Sequence, residues 1–107
     1  MAFIEVNKLN FEVHLDQELD KGQAVVLKFG SEFCTSCFAL ETELEELEAE
    51  NATVSVLIID CDESTDIASN YEIFELPTMV IYTYKDTIIY RGEGVILADD
   101  IAKIIGL

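Results

Sequence analysis

Basic side chains are scarce in this sequence. Six lysines and arginines stand against 22 aspartates and glutamates, which gives a formal net charge of −16. Such a surface repels phosphate backbones and anionic lipid headgroups. We therefore expect no nucleic acid and no membrane among the partners of this protein, and an acidic surface would steer docking toward a basic patch.

Long apolar runs are also missing. No run approaches membrane-spanning length, and Glu5 and Lys8 interrupt the stretch in which a secretory signal needs continuous apolar residues. These absences predict a cytoplasmic protein.

With 107 residues and 50% hydrophobic content, the chain is just long enough to bury one core. Residues 1–107 are therefore expected to form a single domain, and we expect a monomer.

Cysteines are few and odd in number, since the chain has only three. A secreted domain held together by disulfides would carry a denser and even set. Redox chemistry, metal binding and simple packing remain as explanations. Cys34 and Cys37 stand two residues apart in SEFCTSC, directly before an acidic stretch with helical spacing.

The apolar spacing alternates between strand and helix periods along the chain. It predicts strands in 2–6, 23–30, 52–60, 77–84 and 87–94, with a tight turn near Lys85 and Asp86 between the last two. It predicts helices in 9–22, after the cysteines, in 63–74 and in 96–107. The order βαβαβαββα predicts an α/β fold with a central mixed sheet flanked by helices on both faces.

The position of the cysteine pair favours thiol–disulfide exchange. A helix N-terminus offers unsatisfied N–H groups and a positive dipole end, which stabilise a thiolate. Cys34 is therefore predicted to be the nucleophile. Cys37 shares a helical stripe with Leu40 and Leu44, so burial should keep it protonated until it resolves a mixed disulfide.

Zinc or iron binding is the main chemical alternative. Cys34 and Cys37, with Cys61 and His14, would supply four ligands. Structural zinc sites commonly show two paired motifs, however, and these last two candidates are isolated in sequence. We therefore predict no metal site and favour redox chemistry.

The segments FCTSC, LIIDCDE and ELPTMVIY, in this order, resemble the thioredoxin family over essentially the whole chain. The resemblance implies a thioredoxin fold and a reductase of client protein disulfides, without a cofactor, that is recharged by an electron donor like thioredoxin reductase. It also implies a cis peptide bond before Pro77 and pairing of the Leu76 backbone with an extended client segment. Phe33, Ile59 and Leu76 would form an apolar rim around the cysteines.

Departures from the family pattern keep other interpretations open. Phe33 replaces the usual tryptophan, and CTSC lacks the usual Gly-Pro spacer. These losses would also suit a binding or adaptor module with little redox activity. Asp60 matches the family and is a candidate for proton transfer or pKa tuning, whereas Cys61 is extra. A strand-end cysteine of this kind is either a third reactive thiol or a small apolar residue.

Lys28 occupies the place where the family usually has a buried aspartate, six residues before Cys34. A lysine in such an apolar strand must be paired, must reach solvent, or must have a depressed pKa. A charged Lys28 beneath the cysteines would stabilise thiolates, and a neutral one would accept a proton. The alternative to a role in catalysis is a structural one, in which Lys28 reaches solvent or pairs with an acidic residue at a sheet edge.

Overall fold

The computed structural model describes residues 3–85 and 87–107. Five strands and four helices lie in these ranges: β1 (Phe3–Val6), α1 (Phe11–Asp20), β2 (Ala24–Gly30), α2 (Thr35–Glu50), β3 (Val54–Asp60), α3 (Thr65–Asn70), β4 (Thr78–Tyr84), β5 (Thr87–Glu93) and α4 (Ala98–Ile105). The predicted order βαβαβαββα is confirmed. The predicted turn after β4 includes Asp86, which lies outside the described residues.

The strands form one mixed sheet in the order β1-β3-β2-β4-β5. β1, β3 and β2 are parallel to one another, whereas β4 runs antiparallel to both β2 and β5. Two adjacent parallel strands need a long crossover connection, because the chain must return to the starting edge of the sheet. Helix α2 provides this connection between β2 and β3. β2 is thus a central strand.

Two cores lie on opposite faces of the sheet. Alternation along β2 turns Val25, Leu27 and Phe29 toward α1 and α3, and turns Val26, Lys28 and Gly30 toward α2 and α4. Helices therefore cover both faces, as predicted. The place of Lys28 in this pattern puts a charged side chain under α2.

Helix α2 has the apolar stripe that the sequence predicts. Its four buried residues are Cys37, Leu40, Leu44 and Leu47. Most of its glutamates lie on the remaining surface. Helix α3 is shorter than predicted, because it ends at Asn70 and the chain then turns through Glu72 at a positive φ of 53°.

Three chain segments meet at the carboxyl end of β2. Gly30 is in register with Asp60 of β3, and Phe29 is in register with Thr78 of β4. The cysteine motif, the turn after β3 and the loop before β4 therefore lie at one end of the sheet.

Of the helices in the described ranges, none has both the length and the apolar character needed to span a bilayer.

Candidate redox site

Cys34 and Cys37 are joined by a disulfide, with their Cα atoms 5.3 Å apart. Cys34 is partly exposed and immediately precedes α2, whereas Cys37 is fully buried within the first turn. The outer and inner positions expected of the two sulfurs are thus present. An incoming disulfide can reach the sulfur of Cys34 and is shielded from that of Cys37.

Cys34 is the N-cap residue of α2. Its backbone is extended, with φ −109° and ψ 104°, and its Sγ accepts a hydrogen bond from the amide N–H of Cys37 at 3.2 Å. Ser36 Oγ lies 3.5 Å from the same sulfur, and the first turn of α2 contains no acidic residue. In the reduced protein, these donors and the helix dipole would stabilise a thiolate on Cys34.

The peptide bond between Leu76 and Pro77 is cis, as the resemblance to the thioredoxin family implies. The carbonyl oxygen of Pro77 accepts a hydrogen bond from the amide of Gly94 at 2.9 Å. Pro77 is buried and Leu76 is partly exposed, so this loop presents Leu76 at the end of the sheet where the cysteines lie.

The expected apolar rim is present only in part. Phe33 is 89% exposed, beside Cys34 in the chain, and fits a client-binding role. The prediction that Ile59 belongs to the same rim is wrong, because its side chain is fully buried and belongs to the core under α1 and α3. β3 ends at Asp60, the next residue, and side chains alternate between the two faces of a strand, so Ile59 is the last residue of β3 to face that core.

Phe74 is an exposed aromatic residue that the sequence pattern does not reveal. It is 87% exposed and lies in the loop between α3 and the cis-proline. Its only signal in the sequence is an aromatic residue three positions before Pro77, where the helix was expected to continue. With Phe33, it supplies a second exposed aromatic ring from a loop at this end of the sheet.

Lys28 is buried under α2, with only 5% of its side chain exposed. Its Nζ donates a hydrogen bond to Glu41 Oε2 of α2 at 3.0 Å. Of the alternatives that the sequence leaves open for Lys28, the structure shows an ion pair, but this pair joins a central strand to a helix and does not lie at a sheet edge. An ammonium group this deeply buried requires such a partner, because burying an unpaired charge costs on the order of several kcal/mol of folding free energy.

A cleft of about 290 Å³ opens beside the ion pair. Carboxylates dominate the charged part of its lining, which includes Glu5, Glu32, Glu41, Asp60 and Glu63 around Lys28. Asp60 has a further contact, because its Oδ1 accepts the amide N–H of Asp62 at 2.9 Å. This hydrogen bond shapes the turn after β3.

Cys61 lies beside the cysteine motif but is poorly reactive. Its amide N–H donates to the carbonyl oxygen of Gly30, and its side chain packs against the core. Burial, reinforced by Asp60 and Asp62, raises the pKa of the Cys61 thiol to about 11. At neutral pH this thiol is protonated, which makes it a weak nucleophile.

The four conceivable metal ligands do not form one cluster. His14 is half-buried on α1, and Cys34 and Cys37 are bonded to each other. Over residues 3–85 and 87–107, no group of three or more histidine, cysteine or acidic side chains is placed to hold a metal ion.

A partly exposed cysteine at a helix N-terminus, a buried partner cysteine and a cis-proline lie at one end of a five-stranded mixed sheet. This arrangement is typical of the site of a thiol–disulfide oxidoreductase. The thioredoxin family model matches residues 2–106. The chain therefore belongs to the thioredoxin family.

Individual relatives agree with this assignment. The chain is 36% identical over 58 residues to thioredoxin of Mycoplasma pneumoniae, covering 54% of this chain and 57% of that protein, or little more than half its length. It is 29% identical over 83 residues to thioredoxin of Staphylococcus aureus, covering 77% and 75%.

Solved structures agree in fold. Chloroplastic thioredoxin z superposes with a TM-score of 0.86 at 28% identity, over 99% of this chain and 93% of that one. Mitochondrial thioredoxin 3 of Saccharomyces cerevisiae superposes with a TM-score of 0.79 at 23% identity, over 98% and 95%.

Proposed function

We propose that this protein reduces disulfide bonds in client proteins, with Cys34 as the nucleophile and Cys37 as the resolving thiol. One observation carries the proposal: Cys34 Sγ is reachable at the start of α2 and accepts a hydrogen bond from the amide of Cys37, whose own sulfur is buried directly behind it. This arrangement stabilises one thiolate and reserves the second thiol.

The reaction has two exchanges. The Cys34 thiolate attacks one client sulfur, the client disulfide breaks, and one client thiolate leaves. Cys37 then loses its proton and attacks Cys34 Sγ, which breaks the mixed disulfide and releases the second client thiolate. Two electrons pass to the client, the two thiol protons of the reduced protein end on the client sulfurs, and the Cys34–Cys37 disulfide forms.

Client binding is assigned to the exposed apolar residues around the motif. Phe33 and Phe74 would contact client side chains, and the backbone of Leu76 beside Pro77 would pair with an extended client segment. Exposed aromatic rings suit this role because they bury a large area with few rotatable bonds.

Lys28 and Asp60 are proposed to act on the site without touching the client. Lys28 is a buried cation on the strand that leads to the motif and would favour ionisation of a nearby thiol. Asp60 would act by holding the turn that carries Cys61 and by adding negative charge to the cleft.

Recharging requires a donor of two electrons and two protons, and a reductase like thioredoxin reductase is proposed for this step. Its docking surface would be basic, because this chain carries a net charge of −16. We propose that the protein works as a monomer in the cytoplasm, where thiols are kept reduced.

The test is turnover of insulin disulfides with dithiothreitol as the reductant. Wild type should accelerate reduction well above the buffer rate, whereas Cys34→Ser and Cys37→Ser should abolish this acceleration. Cys61→Ser is the matched control, since it removes a thiol at the same end of the sheet and should retain full activity. A wild-type rate equal to the buffer rate would contradict the proposal and favour an adaptor.

A further inference from the structure

The ammonium group of Lys28 lies close to Cys37. A Cβ atom on Gly30 would stand 2.9 Å from Lys28 Nζ and 3.3 Å from the Cβ atom of Cys37. The distance between Lys28 Nζ and the Cβ atom of Cys37 therefore cannot exceed the sum of these two distances. Only a glycine leaves this space open, so β2 brings a cation next to the buried cysteine.

Glu41 partly neutralises that cation. Its carboxylate is bonded to Lys28 Nζ at 3.0 Å, yet 30% of the Glu41 side chain is exposed, against 5% for Lys28. Solvent therefore screens the anion of the pair more than the cation. The less screened charge of the pair is therefore that of Lys28, whose Nζ lies near Cys37.

We propose that the Lys28–Glu41 ion pair controls how readily Cys37 ionises, with Lys28 favouring the thiolate and Glu41 limiting this effect. This inference rests on the proposed function, in which Cys37 must lose its proton to resolve the mixed disulfide. Both residues are positioning residues, because they act through Cys37 and contact neither client sulfur.

The physical basis is the interaction of fixed charges with a thiolate that exists only when Cys37 is reduced. A cation within about 6 Å favours the charged form of a thiol by a tenfold factor or more when it is desolvated. An anion bonded to that cation cancels part of the gain. The other charged residues that line the cleft with Lys28 and Glu41 are Glu5 on β1, Glu32 before α2, Asp60 on β3 and Glu63 before α3, all of negative sign.

The two halves of the pair should therefore act in opposite directions. Lys28→Met removes the cation, leaves the carboxylates and should disfavour the Cys37 thiolate. Glu41→Gln removes the nearest anion, leaves the cation and should favour the thiolate. A purely structural ion pair would give the same kind of change for either substitution, because either one breaks the pair.

The experiment measures ionisation of Cys37 directly. Cys34→Ser and Cys61→Ser leave Cys37 as the sole thiol of the chain, and its ultraviolet thiolate absorbance is followed against pH. In this background Lys28→Met should lower the thiolate-to-thiol ratio at a given pH about threefold or more, and Glu41→Gln should raise it by a similar factor. Lys28→Arg should stay near the parent.

Two variants serve as matched controls. Lys21→Met removes a lysine that pairs with Glu18 on α1, and Glu50→Gln removes an exposed carboxylate at the far end of α2. Each repeats one charge change away from Cys37, and neither should shift the ratio appreciably. Should Lys28→Met fail to fold, Glu41→Gln compared with Glu50→Gln still decides the matter.

Equilibration of the protein with all three cysteines against glutathione buffers gives a second readout. Favouring the thiolate stabilises the dithiol, so Glu41→Gln should shift the equilibrium toward the reduced form and Lys28→Met toward the disulfide. Shifts in the same direction, or shifts no larger than those of the controls, would overturn the inference. Neither measurement involves a client. A negative result would therefore contradict the role of the ion pair without contradicting client reduction, and a failure to reduce insulin would not by itself contradict the role of the ion pair.

Discussion

The amide N–H of Cys61 donates a hydrogen bond to the carbonyl oxygen of Gly30 at 2.9 Å. This bond extends the pairing of β2 and β3 by one residue and holds the third thiol beside the strand that leads to the cysteine pair. Proximity to the pair therefore does not make Cys61 part of the chemistry, since burial and two aspartates keep it protonated.

Alkylation of the fully reduced protein should separate the outer thiol from Cys61. At neutral pH, iodoacetamide should modify Cys34 rapidly and Cys61 slowly, because only a thiolate reacts. The rate at Cys61 should rise with pH as the pH approaches its pKa of about 11. Peptide mass spectrometry gives both rates, and protein unfolded in urea provides the control. Equal rates at the two thiols in the folded protein would refute this ordering.

Gly30→Ala should displace the end of the Lys28 side chain. The added Cβ would stand 2.9 Å from Nζ, closer than such atoms approach in practice. We expect a loss of about 1 kcal/mol in the free energy of unfolding, as for a mildly overpacked core. Urea denaturation measures it.

A double-mutant comparison tests the cause of that loss. In a Lys28→Ala background the crowded atoms are gone, so the cost of Gly30→Ala should shrink. An unchanged cost would mean that contact with Lys28 is not the reason for glycine at this position.

Phe33→Ala and Phe74→Ala should weaken client binding. Each ring is almost fully exposed, so its loss should cost the folded protein little and should raise the KM for insulin about fivefold, equivalent to about 1 kcal/mol. Reduction of a small aromatic disulfide should change less. Tyr84→Ala is the control, since Tyr84 is 75% exposed at the other end of β4. Parallel effects on the insulin and small-disulfide reactions would argue against a docking role.

Glu18→Gln should destabilise the fold at neutral pH. Burial alone would raise the pKa of Glu18, but the bonds from Lys21 and Ser55, at 2.8 and 2.7 Å, outweigh it and leave the pKa below its ordinary value. The carboxylate therefore adds stability above its unfolded-state pKa, and this contribution disappears as the pH falls through the folded-state pKa.

The measurement is the urea midpoint of wild type and Glu18→Gln across acidic and neutral pH. At neutral pH the variant should lose about 1 to 3 kcal/mol, because a buried charged hydrogen bond is weakened. The difference from wild type should narrow in acid, whereas Glu50→Gln should show little difference throughout. A gap that widens as the pH falls would contradict the assigned direction of the pKa shift.

Local patterns were enough to predict the element order and the outer and inner places of the two cysteines. The period of Cys37, Leu40, Leu44 and Leu47 determines which face of α2 is buried, and a helix between two apolar strands requires parallel pairing. Such features depend on neighbours within a few residues, so they can be identified without a structure.

Contacts between distant elements could not be predicted in this way. The partner of Lys28 is 13 residues away on a helix that carries several glutamates, and only the packing of α2 on β2 selects Glu41. The burial of Ile59 was missed because VSVLIID is apolar over most of its length and does not reveal which face meets which helix. Phe74 was missed because the end of α3 depends on a backbone turn at Glu72.

In the proposed reaction, Cys34 forms the mixed disulfide with the client and Cys37 resolves it. The most direct measurement mixes reduced Cys37→Ser protein with a disulfide-bonded peptide, quenches with acid and locates the attached peptide by mass spectrometry. We expect a stable mixed disulfide on Cys34 of the Cys37→Ser protein. No such adduct should persist in wild type or form in the Cys34→Ser variant. Attachment at Cys61, or an equally stable adduct in wild type, would contradict the proposed reaction.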